Sequence, residues 1–407
     1  MTIDFARNDR PTMGVEMELH LVDATTGDLV SVANEVLDEL GAGHPDGAHP
    51  KAKHELFQST VEIITGVCDG PAAVRDDLEV TLAELRERLA PRDATVMSAA
   101  THPFALAERQ LVSPDERYHR LIDTMQWPAR RLLICGMHVH VGVPDGPTAI
   151  RVVNELARHL PLLLALSTSS PFFEGVDSGM ASARSLVFES LPTAGLPPRM
   201  SGWDDFEQYM ATLIETGCID TVREVWWDIR PHPDFGTVEL RMCDAMPTLR
   251  ETVAVAALAQ ALVARSLERI EAGTLPPPPT QWSVEQNRWL AARHGLGARL
   301  IVERPRESPT PVSEVTAPTR VGDHLVHVAP ARELLAELLD ELEPTAERLG
   351  SAAWLDEVRS LLDVGSSSQR QRAVVEGGGT LLDVVHHLVE ELETDTPSAP
   401  GTAPLAS

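Results

Sequence analysis

Lysine is almost absent from this chain: Lys51 and Lys53 are the only two in 407 residues. A phosphate loop built on lysine is therefore excluded, and an anion site elsewhere must use arginine, histidine, backbone N–H groups or a metal ion. Positive charge is scarce in general, with 34 basic against 61 acidic side chains and a formal charge of −27. Such a surface repels nucleic acid and acidic lipid, which argues against both as partners. Cysteine is limited to Cys68, Cys135, Cys218 and Cys243, too far apart for a paired metal spacing and read as reduced, mostly buried thiols. Neither Leu160 to Phe173 nor Thr252 to Ala264, the longest uncharged apolar stretches, reaches the roughly 18 to 20 residues that span a bilayer. Asp4, Arg7, Asp9 and Arg10 interrupt the first ten residues, so no secretory signal is expected and a cytoplasmic location is.

What remains is an ordinary globular mixture, 43% hydrophobic and 23% charged, long enough for one large α/β unit or two to three domains. Thr12 to Val22 alternates, with Met13, Val15, Met17, Leu19 and Leu21 against Glu16, Glu18 and His20, the pattern of a half-buried strand. Phe57 to Ile64 repeats it, setting Phe57, Val61 and Ile63 against Gln58, Thr60 and Glu62, with Glu55 just ahead. Ile134 to Val143 carries His138 and His140 on one side, and Gly236 to Cys243 carries Glu239 and Arg241. A short strand is expected over Thr95 to Ala100. Helices are expected after Gly70-Pro71, over Val152 to Leu166 and over Thr248 to Ala272, and Ser167 to Ala183 reads as a long loop.

Pro276 to Pro279 is the clearest break. The expected organisation is a catalytic α+β core over 1–275, a proline linker over 276–281, a helical C-terminal region over 282–392 packing on the core, and a disordered tail over 393–407. Within the C-terminal region, Ser283 with Gln286 reads as a capping box and Arg304 to Thr319 as a loop. Pro330 to Leu349, Ala352 to Val364 and Thr380 to Leu392 read as amphipathic helices.

Four of the strands share a property: one face is apolar and the other carries ionisable or amide groups at even spacing. In an antiparallel sheet the apolar faces would pack on helices, while Glu16, Glu18, Gln58, Glu62, His138, His140, Glu239 and Arg241 would pool on the opposite side. Alternate residues on a strand lie about 6.5 to 7 Å apart, a separation that suits neighbouring divalent ions. Converging carboxylates repel one another unless cations sit among them. Oxygen-rich ligands favour Mg2+ or Mn2+, and Mg2+ keeps affinity for phosphate oxygens, which points to a nucleotide. Two other readings stay open at this point. One is a metal-dependent hydrolase with zinc on His138 and His140; the other is a homologue that binds a nucleotide or amino acid without catalysis.

The segments Gly14-Val15-Glu16-Met17-Glu18-Leu19, Glu55 to Glu62, Thr101-His102-Pro103-Phe104, His138-Val139-His140-Val141-Gly142 and Ser170-Pro171-Phe172 resemble the type 2 glutamate–cysteine ligase family, the carboxylate–amine ligases. So do Trp227-Asp228-Ile229-Arg230-Pro231, Glu239-Leu240-Arg241 and Glu285 to Trp289, in the family's order, from about Gly14 to about Leu392. The resemblance implies a glutamine-synthetase-like core, a curved antiparallel sheet with a polar concave face flanked by helices. It also implies ATP- and Mg2+-dependent amide formation through an acyl phosphate, by default between the γ-carboxylate of glutamate and cysteine, with small-molecule substrates. Chain size alone makes a homodimer the expected assembly. Carried over by position, Glu16, Glu18, Glu55, Glu62, His138 and Glu239 would form the metal set. Glu16, His138, Arg241 and Arg230 would bind the nucleotide. Arg241, Arg184 and Glu239 would act in catalysis, the arginines neutralising the transferring phosphoryl group or holding a substrate carboxylate. His102 is a further candidate, and Arg230 could equally form a structural ion pair.

Overall fold

The computed structural model describes residues 2–305, 319–321 and 324–398. The central sheet is antiparallel and has seven strands: β1 (Met13–Asp23), β2 (Ala52–His54), β3 (Thr60–Ile64), β4 (Ala94–Met97), β5 (Met137–Gly142), and, after a two-residue hairpin of β6 (Phe172–Phe173) with β7 (Val176–Asp177), β8 (Ile229–His232) and β9 (Thr237–Leu240). The order across the sheet is β2-β3-β1-β5-β9-β8, with β4 pairing the second half of β1. The strands that carry the alternating pattern are thus consecutive neighbours. Their apolar side chains, Val15, Met17, Leu19, Val61, Ile63, Val139, Val141, Val238 and Leu240, enter one core with helices α1 (Ala33–Gly41) and α2 (Pro71–Leu89). Burying one such side chain contributes about 1.5–3 kcal/mol, and a slip of one residue in any strand would drive its carboxylates into that core. The pattern therefore fixes both face and register.

The next helices are α3 (Glu116–Met125), α4 (Gly146–Leu156), α5 (Leu160–Ser167), α6 (Ala183–Glu189), α7 (Trp203–Glu215) and α8 (Leu249–Ala272). The helix expected over Val152 to Leu166 is two, because Pro161 cannot donate a helical hydrogen bond and sits instead in the first turn of α5. The preceding turn supplies the cap of α4: Asp145 accepts from Thr148 N at 2.7 Å. The expected strand over Phe57 to Ile64 starts only at Thr60; Phe57 turns away and packs with Leu56, Ala107, Tyr118 and Leu133 in a separate cluster.

After the proline segment come α9 (Gln281–His294), a three-stranded sheet of β10 (Arg299–Pro305), β11 (Thr319–Val321) and β12 (His324–Pro330) in the order β10-β12-β11, then α10 (Ala331–Leu349), α11 (Ala352–Val364), α12 (Ser367–Glu376) and α13 (Leu381–Thr394). The C-terminal region is therefore not purely helical, and most of the expected 304–319 loop lies outside the described residues. α9 begins at Gln281, and Ser283 donates to Thr280 O rather than capping. The capping boxes occur instead at Ser366/Gln369 and Thr380/Asp383. Residues of α9, α10 and α11 share the main core with α8 and the sheet. A buried triad fastens the last helices: Arg370 reaches Glu251 of α8 and Glu391 of α13, each at 2.8 Å. The tail expected to be disordered is ordered as far as 398, with Asp395 accepting from Arg250 N and Ser398 N donating to Glu391; 399–407 lie outside the described residues. No helix among the described residues is long and apolar enough to cross a membrane.

Candidate active site on the polar face of the sheet

Cross-strand register assembles the site. Glu62 of β3 lies opposite Glu18 of β1, Glu16 opposite His138 of β5, His140 opposite Glu239 of β9, and Glu239 opposite Arg230 of β8. Residues paired in this way have side chains within direct reach on one face. Three sets of ligating atoms each fall within 4.8 Å of one another: Glu18 with Glu55 and Glu62, Glu16 with Glu62 and His138, and Glu16 with His140 and Glu239. All six residues expected to bind metal belong to these sets. His140 joins them; the alternation places it on the polar face and the hydrolase reading makes it a zinc ligand, but the metal set drawn from the resemblance omits it.

Hydrogen bonds set the orientation of each group. Glu16 Oε2 is 2.8 Å from His138 Nδ1, and its Oε1 is 3.4 Å from His140 Nε2. His140 Nδ1 pairs with Thr237 Oγ1 at 3.0 Å, and its buried Nε2 faces the carboxylates of Glu16 and Glu239 at 3.4 and 3.9 Å. Gly136 N donates to Glu18 Oε2 at 2.5 Å. Glu239, only 1% exposed, accepts from Arg230 Nε at 2.7 Å and from Arg241.

The carboxylates divide by partner. Burial opposes ionisation of Glu16, but hydrogen bonds and charge from His138 and His140 outweigh it and hold the carboxyl well below the usual range. Burial is likewise overcome at Glu239, by the charges of Arg241 and Arg230. At Glu55 the hydrogen bond from Leu56 N and the Arg117 charge are too weak to offset burial and the Glu18 charge, which push its pKa up to about 8. Glu62 is raised well above its ordinary value by burial and by Glu16, Glu55 and Glu18. Lys53 lies opposite Glu62 in register but is exposed. Short of cation among its carboxylates, and with a buried histidine nitrogen facing two of them, this face has the donor chemistry of a divalent-cation site.

The three arginines have different positions. Arg241 lies on the face itself, against Glu239. Arg230 is fully engaged: besides Glu239, its Nη1 donates to Arg223 O at 2.8 Å and Val225 O at 2.6 Å. Its guanidinium braces Glu239 and has little left for a ligand. Arg184, 3% exposed, donates to Met242 O and Arg241 O and lies 3.9 Å from Asp244. It packs against Gly136, where a Cβ would come within 2.1 Å of its Nη2. That glycine is required by the close approach, and it links Arg184 to Glu18, whose carboxylate its N–H holds. Asp244, unmarked by the sequence pattern, anchors the loop leading to Arg184 through Ser169 N, Ser170 and Ser182. His102 is away from the carboxylates; its Nε2 meets Gly27 O at 2.8 Å and its Nδ1 accepts from Ala105 N at 3.0 Å, a role inside a turn.

The chain is 46% identical over 398 residues to a putative glutamate–cysteine ligase 2 of Thermobifida fusca, covering 98% of this chain and 95% of the relative. It is 45% identical to a putative glutamate–cysteine ligase 2-1 of Frankia casuarinae, covering 98% and 100%. In fold it is similar to the glutamate–cysteine ligase of Francisella tularensis in complex with AMP (TM-score 0.65, 14% identity, 98% of this chain and 91% of that one). It is also similar to a bifunctional glutathione synthetase from Pasteurella multocida (TM-score 0.62, 14% identity, 95% and 52%). Residues 12–387 match glutamate–cysteine ligase family 2, and the chain belongs to that family.

Proposed function

We propose that the protein is a carboxylate–amine ligase that uses ATP with Mg2+ or Mn2+ to join the γ-carboxylate of glutamate to cysteine through an acyl phosphate. The observation that carries this reading is the set of cross-strand pairs, Glu18 with Glu62, Glu16 with His138, and Glu239 with both His140 and Arg230, which gathers carboxylates, imidazoles and arginines on one face. Family membership supports the ligase class, the names of the relatives supply the default substrate pair, and the AMP complex of the Francisella ligase supports an adenine nucleotide.

Glu18, Glu55 and Glu62 would hold one cation and Glu16, His140 and Glu239 another, with Glu16, Glu62 and His138 a third set of ligating atoms between them. Divalent cations bound there would supply charge neutralisation for the triphosphate and for the phosphoryl group in transfer. The chain's own residues do the positioning. Glu16 fixes the ring of His138, Gly136 N–H fixes Glu18, and Arg230 fixes Glu239. Arg241 presents its guanidinium on the same face, where a cationic fork stabilises charge spread over phosphoryl oxygens. Arg184 adds positive charge from behind Gly136. In the reaction a carboxylate oxygen bonds to the γ-phosphorus as ADP departs; the amine nitrogen then bonds to the acyl carbon as phosphate departs, and the amine gives up a proton.

The test is phosphate release from ATP and Mg2+ with glutamate fixed and the amine varied, cysteine included. Release that requires both glutamate and cysteine, with the dipeptide seen by mass, upholds the proposal. Release with another pair keeps the ligation chemistry and replaces the substrates, and no turnover with any pair overturns it.

A further inference from the structure

Where the polar face ends at β8 and β9, the connecting turn lifts an aromatic ring into solvent. Phe235 is 55% exposed, yet its ring is not loose: it stacks on the imidazole of His232 with centroids 4.2 Å apart and planes 9° apart, and meets the edge of His140 at 5.6 Å. The backbone beneath it is pinned from the N-terminal segment. Asn8 Nδ2 donates to Phe235 O at 2.8 Å and Gly236 O at 2.9 Å, and Ala6 N donates to Pro233 O at 2.9 Å. Gly236 has φ +65°, and a Cβ there would come within 2.2 Å of Ala6 O, so the turn admits no side chain at that position.

A single exposed apolar residue needs no explanation. A ring held rigidly, parallel to an imidazole and beside a cation-binding set, presents a preformed aromatic surface. His140 belongs both to that set and to the aromatic cluster. In the adjacent strand its partner is Gly14, where even a Cβ would find its nearest neighbours 3.9 Å away. His232 Nδ1 is buried without a hydrogen-bond partner.

We infer that Phe235, stacked on His232, is the platform for the purine base of the nucleotide whose phosphates the polar face takes. This inference rests on the proposed function. A triphosphate lying among the carboxylates must send its base toward one end of the face. The Glu55 end is lined with carboxylate, and the β8–β9 end offers an aromatic surface, on which any base can stack.

The experiment compares the affinities of wild type, Phe235→Leu and Phe235→Tyr for ATP and for inorganic tripolyphosphate, each with Mg2+, by calorimetry. The Leu variant is expected to lose about tenfold or more in ATP affinity, the usual effect of removing one base-stacking ring, while tripolyphosphate binding is unchanged and the Tyr variant binds ATP like wild type. Equal ATP binding by wild type and the Leu variant overturns the platform and leaves the ligase reading intact. So does a parallel loss for ATP and tripolyphosphate, which makes Phe235 structural. A wild type that binds neither ligand overturns the proposed function itself, and the platform with it.

Discussion

Glu18 and Glu62 stand directly opposite each other across β1 and β3, two carboxylates in register on the same face. Like charges in that relation destabilise a sheet, and burial adds to the cost at Glu62. A divalent cation removes the repulsion. The melting temperature in excess chelator should therefore rise when millimolar Mg2+ or Mn2+ is added. Glu62→Gln should be at least as stable as wild type in chelator and should lose most of the cation-dependent rise. An equal rise in both proteins would separate stabilisation from this pair.

Arg230 and Glu239 form the buried end of the row. Removing one partner of a buried ion pair leaves an uncompensated charge and costs about 3–5 kcal/mol. Arg230→Gln also withdraws donors from Arg223 O and Val225 O, so denaturant unfolding should report a loss of that size. Glu239→Gln keeps an amide oxygen as acceptor but leaves Arg230 and Arg241 without their carboxylate, so it should lose stability of the same order and, assayed where it is verified as folded, should have no ATP turnover. Undiminished turnover in that folded variant would remove Glu239 from the site.

Gly136 and Arg184 are coupled by contact. Gly136→Ala places a methyl group against a guanidinium that is itself tied to two carbonyls, an overpacking worth about 1–3 kcal/mol. Adding Arg184→Ala should recover part of the lost stability without recovering activity. Strictly additive effects on stability in the double-mutant cycle would show the two residues to be independent.

His102 gives a pH dependence with a definite sign. Burial, only partly offset by its bond to Gly27 O, lowers its pKa to about 4. The unfolded chain takes up the proton first, near the ordinary value of about 6.5. The stability that neutral His102 contributes is complete above that value and declines as the pH falls toward about 4, by up to about 3 kcal/mol. His102→Gln should flatten the stability profile in that window, as followed by urea unfolding at a series of pH values. An unchanged slope would assign the acid sensitivity to other groups.

The face and register of β1, β3, β5 and β9 were legible in the sequence because their side chains alternate strictly and only one register buries the apolar set. That alternation also put Glu16, Glu18, Glu62, His138, His140 and Glu239 on the polar face, whereas Glu55, ahead of β3, came from the family resemblance. Adjacency was not: nothing local to Glu16 or His138 states that β1 lies beside β5, since that pairing is decided by packing across more than a hundred residues. Arg230 and His102 carry chemistry-bearing side chains whose hydrogen bonds are all spent on structure, a fact that depends on carbonyls contributed by Arg223, Val225 and Gly27. Pro161 was a visible breaker inside an apolar run, and the run concealed it. β10 and β12 were missed because their pairing joins residues on either side of a long intervening segment.

The most direct measurement is titration of the purified protein with Mn2+, followed by electron paramagnetic resonance, for wild type and for Glu16→Gln and Glu62→Gln variants of verified fold. The polar face is predicted to bind more than one Mn2+ per chain, with each substitution weakening binding at least about tenfold and added ATP tightening it in wild type. Wild type that holds no more Mn2+ than the variants, with or without ATP, would contradict the assignment of this face as a metal and nucleotide site.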